Sequence, residues 1–71
     1  MNHVTFQKTQ DEIRIENIQH VYLNGKEKTL FNVYVKHYTE IGNESFVFSG
    51  QYDLPGTIKR ESTIKRKICL I

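Results

Sequence analysis

Histidine, cysteine and the carboxylates are the side chains through which so short a chain could do chemistry, and in these 71 residues they are thinly spread. A zinc site needs about four nitrogen, sulfur or carboxylate ligands converging at short spacings. The soft ligands here are His3, His20, His37 and Cys69, and the three histidines lie seventeen residues apart. Alternation along the strands identified below sets His20 on the surface and His37 at the core edge, on opposite faces of a sheet. No metal site is expected. Ser45, Ser49, Ser62 and Cys69 could act as nucleophiles, but none sits in a strand-turn-helix elbow. Glu16 and Asp53 have nothing to set their separation, and Gly42 and Gly50 belong to no glycine-rich run that opens a helix around a phosphate. The chain reads as a non-enzyme without a cofactor.

Charge carries more information. Residues 1–56 hold five basic and seven acidic side chains, whereas residues 57–71 hold Lys59, Arg60, Lys65, Arg66 and Lys67 against Glu61 alone. A modest total of +2 therefore conceals a basic end with a net charge of four. Such a segment attracts anionic partners, with nucleic acid first, or serves as a solvated edge whose lysines discourage aggregation. A second candidate surface gathers Tyr34 and Tyr38 with Lys36, Tyr22 and His20 on the non-core side of the sheet. Aromatic rings flanked by cations can stack single-stranded bases, so Tyr34 and Tyr38 are the candidate stacking residues. Leu30, Ile18 and Val47 share that side, which gives it a competing use as a buried or self-associating face.

The elements that position these residues follow from composition and alternation. The chain has no Ala and four Leu, against eight Ile, five Val, four Tyr and four Phe, a balance that suits pleated strands better than helices. Residues 12–23 place Ile13, Ile15, Val21 and Leu23 on one face, with Ile18 out of step and a bulge near Asn17. Leu30 to Tyr38 sets Phe31, Val33, Val35 and His37 together. Ser45 to Leu54 does the same for Phe46, Phe48, Gly50, Tyr52 and Leu54.

Asn24-Gly25 is a strong hairpin signal. Parity favours an odd loop there, Asn24 to Lys26 or Asn24 to Lys28, because a two-residue turn would pair odd positions with even ones and scatter the apolar residues. By the same reasoning a four-residue loop, Glu40 to Asn43, sets His37 against Phe46, Val35 against Phe48 and Phe31 against Tyr52. A short strand around Val4 to Gln7 adds an edge. Beyond Pro55-Gly56 the chain is ambiguous. Ile64, Ile68 and Ile71 have helical spacing, while β-branching favours a terminal strand over Thr63 to Leu70, with a short helix packed on the sheet as the alternative.

These observations predict one all-β domain over residues 1–71, a small antiparallel sheet or open barrel of four to five strands. At this length a fold buries only about 60% of the surface its unfolded chain exposes, which disfavours a deep catalytic cleft. The lone cysteine cannot form an internal disulfide, and small domains in oxidising compartments usually depend on such bridges, so a cytoplasmic location is expected. Residues 1–10 contain no continuous apolar region of the signal-peptide kind, and no apolar run is long enough to span a membrane. Cys69 is third from the end, where prenylation needs it fourth. The expected function is a non-enzymatic binding module for an anionic partner through the basic segment. The alternative is a protein-interaction or homo-oligomerisation module using a sheet edge or the second apolar face.

Overall fold

The computed structural model describes residues 4–70, and His3 and Ile71 lie outside them. Three strands, β1 (Ile13–Leu23), β2 (Lys26–Tyr38) and β3 (Glu44–Pro55), form an antiparallel open sheet in the order β1-β2-β3, followed by one helix, α1 (Glu61–Ile68). A single 3-10 turn, Gln10–Glu12, leads into β1. The expectation of four to five strands does not hold. Near the N-terminus only Phe6 pairs, in an isolated parallel bridge to Cys69 rather than along the edge of the sheet.

The terminal segment is a helix, not the strand expected over Thr63 to Leu70. Its spacing of apolar residues decides the matter: Ile64 and Ile68 stack one turn apart and are both fully buried against the sheet. Burial of each contributes about 1.5–3 kcal/mol, more than the few tenths by which β-branching disfavours a helix. Glu61 in the first turn and Lys65, Arg66 and Lys67 in the last also complement the helix dipole.

The first hairpin turns on Asn24 and Gly25, both at positive φ, with Leu23 opposite Lys26. It is the two-residue turn, not the odd loop. The expected odd-with-odd pairing nevertheless appears further along, as Ile15 opposite Val33 and Ile13 opposite Val35. A bulge reconciles the two: the register shifts between Glu16 and Gln19, and Asn17 adopts φ 54°, so Asn17 and Ile18 together stand opposite Phe31. Near the turn the parity is inverted. Val21 and Leu23 pair with Lys28 and Lys26 away from the core, and Leu23 is exposed.

The second hairpin pairs Phe31 with Tyr52 as expected, but Val35 meets Val47 and His37 meets Ser45. Here Ser49 is the extra residue, because Tyr34 pairs with Phe48 and Val33 with Gly50. Phe46 and Phe48 consequently leave the core side and join Tyr34 and Lys36 on the opposite face. The core is built by Ile13, Ile15, Phe31, Val33, Leu54 and Ile58 beneath Ile64 and Ile68. An eight-residue helix is only about 12 Å long, whereas β2 extends about 43 Å, and the molecule measures 49 × 21 × 21 Å. Both ends of the sheet therefore project beyond the core.

Candidate functional site

The basic segment starts from a fixed backbone. The hydroxyl of the fully buried Thr29 donates to the Gly56 carbonyl at 2.7 Å and accepts the Ile58 N–H at 2.9 Å. The Gly56 N–H donates to the Glu27 carbonyl at 2.8 Å, and Nε2 of His20 donates to the Ile58 carbonyl at 2.7 Å. Lys59 and Arg60, both exposed, leave this clamp directly into α1. Within α1, Lys65 is half-buried and pairs with Glu61 at 3.5 Å, and Glu61 accepts the Ile15 N–H at 3.3 Å. Arg66 stands two residues from each buried isoleucine, which at 100° per residue directs it straight away from the sheet, and Lys67 lies on the flank. Of the five basic residues, Lys59, Arg60, Arg66 and Lys67 make no ion pair with any described residue. Helical geometry spreads Lys65, Arg66 and Lys67 around the axis instead of aligning Lys65 with Lys67.

Tyr34 and Tyr38 lie on the opposite face of the sheet from α1, since Thr29, Phe31 and Val33 alternate with them and are fully buried under the helix. Tyr34 packs edge-on against Phe48, with ring centroids 5.5 Å apart. Phe46 is flanked by the Arg14 guanidinium at 6.0 Å and the Lys36 ammonium at 5.8 Å. Three cations on this face have their own carboxylates: Arg14 pairs with Glu16 at 2.9 Å, Lys36 with Glu44 at 3.6 Å and Lys28 with Asp53 at 3.8 Å. Tyr22 and His20 do not join the group. They sit beyond the Asn17 bulge on the helix side, opposite Glu27 and Thr29. His37 shares the parity of Thr29, so His20 and His37 belong to one face, not two, and stand at opposite ends of it, about 26 Å apart along β2.

Sequence reasoning missed Arg14, Phe46 and Phe48 as members of the aromatic face. The available signal was Gly50 within a strand, which often marks a bulge. No family model, curated protein or solved structure matches the chain. Its surfaces must be read from their own chemistry.

Two shallow clefts mark the surface of the described residues. The larger, about 610 Å³, runs between Val4 to Phe6 and the Gln51 to Asp53 stretch of β3, and the smaller, about 290 Å³, lies between the 3-10 turn and α1. Ser62 lines the smaller cleft with Asp11, Glu61 and Lys65 but makes no hydrogen bond to any of them. The Cys69 thiol has its pKa pushed up by burial, the opposite of an activated nucleophile. Among the described residues no group of three His, Cys, Asp or Glu could hold a metal ion, and no helix is long and apolar enough to cross a membrane.

Proposed function

We propose that this chain is a non-enzymatic binding module for an anionic partner, nucleic acid first, engaged through Lys59, Arg60, Arg66 and Lys67. The observation that carries the reading is that these four cations lie within nine residues of one another, exposed and free of ion pairs among the described residues, while elsewhere Arg14, Lys28 and Lys36 are paired and the unpaired Lys8 and Lys26 are isolated in the sequence. An unpaired surface cation can meet a phosphate without first giving up a carboxylate. Tyr34 and Tyr38 do not extend this surface, because the sheet stands between them and α1. A partner held by the basic segment is recognised through its phosphates and not by base stacking.

The test is a titration against single-stranded and duplex DNA at several salt concentrations. Four phosphate contacts give a slope of log affinity against log salt of roughly −3. Arg66→Gln combined with Lys67→Gln should flatten that slope by about half, whereas Lys65→Gln should change it less, since Lys65 is held by Glu61. Absence of binding to either ligand at low salt, or unchanged binding by the folded double variant, would overturn the reading.

A further inference from the structure

We infer that the chain forms a two-fold symmetric dimer by pairing β3 with β3 of a second copy, antiparallel and centred on Val47. The two outer strands of the sheet differ. β1 carries the charged Arg14 and Glu16 along its length, which discourage a passing strand. Both outer strands have a bulge, at Asn17 in β1 and at Ser49 in β3, but β3 has no charge and no proline from Ser45 to Tyr52, and Phe46, Val47 and Phe48 are 38%, 51% and 55% exposed. An uncharged edge of high β propensity, open to solvent, is a template for another strand.

The occupant is written in the strand itself. Ser45-Phe46-Val47-Phe48-Ser49 reads identically in both directions. In an antiparallel pair about a two-fold axis at Val47, Val47 faces its own counterpart, each Phe46 faces a Phe48 and each Ser45 faces a Ser49. Such a surface is complementary to itself, as an isologous interface requires. The four phenylalanines fall on one face, beside Tyr34 of each copy, as cross-strand aromatic pairs. Charge selects the same register: centring the pair instead on the middle of the uncharged run would set Glu44 opposite Asp53, whereas centring on Val47 sets Glu44 opposite Gly50.

Area is consistent with this partner. A compact monomer of 8.4 kDa exposes about 4,600 Å², and this chain exposes 5241 Å². The end of the sheet that α1 does not reach holds Tyr38, Ile41, Phe46, Val47 and Phe48, all exposed. The exposed parts of Phe46, Val47, Phe48, Tyr38 and Ile41 amount to roughly 500 Å² of side chain, and the backbone edge and flanking serines bring the patch near the ~800 Å² per partner of a stable interface. The surface lies at the β3 edge of the sheet, whereas α1 packs against β1 at the other edge, so the dimer stands or falls independently of nucleic-acid binding.

Sedimentation velocity from micromolar to millimolar protein, with circular dichroism on each variant, tests the inference. The parent should sediment as a concentration-dependent dimer. Val47→Lys, at a half-exposed site where the fold tolerates a charge, should weaken dimerisation at least about tenfold by setting like charges opposite each other. Mild oxidation supplies the register in a Cys69→Ser background. Val47→Cys should form an intermolecular disulfide with itself, while Ser45→Cys should cross-link to Ser49→Cys faster than to itself. A parent that stays monomeric at millimolar concentration, a folded Val47→Lys variant that dimerises like the parent, or cross-linking of Val47→Cys no faster than that of a loop control such as Glu40→Cys would each overturn it.

Discussion

The Thr29 hydroxyl and the Ile58 N–H meet at 2.9 Å inside the core, so one threonine on the central strand fixes where the chain leaves β3 and turns toward the helix. The same oxygen donates to the Gly56 carbonyl at 2.7 Å, and its side chain is fully buried. Two backbone groups, the buried Ile58 N–H and the half-buried Gly56 carbonyl, are thereby satisfied by one side chain.

Thr29→Val keeps the shape and removes both bonds, leaving the buried Ile58 N–H and the half-buried Gly56 carbonyl without this partner. The expected loss is about 2–4 kcal/mol of unfolding free energy, read from urea denaturation, with Thr29→Ser retaining most of it. A loss below about 0.5 kcal/mol would mean that the clamp does not hold the connection.

Val33 is fully buried and Asn32 faces the open side. Val33→Asp should unfold the domain, because the carboxylate has no cation within the core. Asn32→Asp should cost under about 1 kcal/mol, as surface changes usually do. Equal damage by circular dichroism would show that both faces are covered.

Asn17 sits at φ 54°, a conformation in which a side chain with a β-carbon is strained. Asn17→Gly should leave stability unchanged or raise it slightly, while Asn17→Val should cost about 1–2 kcal/mol. Thermal unfolding of the pair measures the difference directly.

The Thr9 hydroxyl hydrogen-bonds to the Asp11 carboxylate, and this contact holds that carboxyl below its ordinary value of 3.8. Glu12 is held below 4.5 first by the Thr9 N–H at 3.0 Å and then by the hydroxyl at 2.9 Å. A depressed folded pKa contributes stability above the unfolded value, which is lost as pH falls through the folded one. Acid should therefore weaken this turn only as pH falls below the ordinary carboxylate values. Thr9→Ala should return Asp11 most of the way toward its ordinary pKa and Glu12 only in part, since the Thr9 N–H remains. Carboxyl titration by nuclear magnetic resonance separates the two.

Three strands and the core positions Ile13, Ile15, Phe31, Val33 and Leu54 were legible from alternation, because each lies on a regular stretch where period two holds, whereas the same parity argued for an odd loop where Asn24 and Gly25 make a two-residue turn. Phe46 and Phe48 were not. They share parity with Tyr52 and Leu54, and only the extra residue at Ser49 sends them to the other face. The bulge near Asn17 showed itself because Ile18 falls out of step with its neighbours, but Ser45 to Leu54 alternates without a break, so the one at Ser49 left no trace in the pattern of apolar and polar positions. The helix was misread for a different cause: Ile64 and Ile68 satisfy both periods, and their β-branching spoke for a strand until burial against Phe31 and Ile13 outweighed it. The basic residues were legible as charges, but their division into one paired and four unpaired cations depended on Glu61 standing one turn before Lys65.

The bulges at Asn17 and Ser49 have a consequence for how the coding sequence can change. Losing one codon inside a β-strand normally shifts every later pair and turns its side chains over. Without Ser49, Phe48 would still face Tyr34 and Gly50 would still face Val33, now along an uninterrupted ladder. Without Asn17, Ile18 would stand alone opposite Phe31, between the unchanged pairs of Glu16 with Asn32 and Gln19 with Leu30. Two in-frame deletions that would ruin an ordinary strand are thus absorbed within a single pair spacing, and the same two sites are where a shorter relative of this chain should have its gaps.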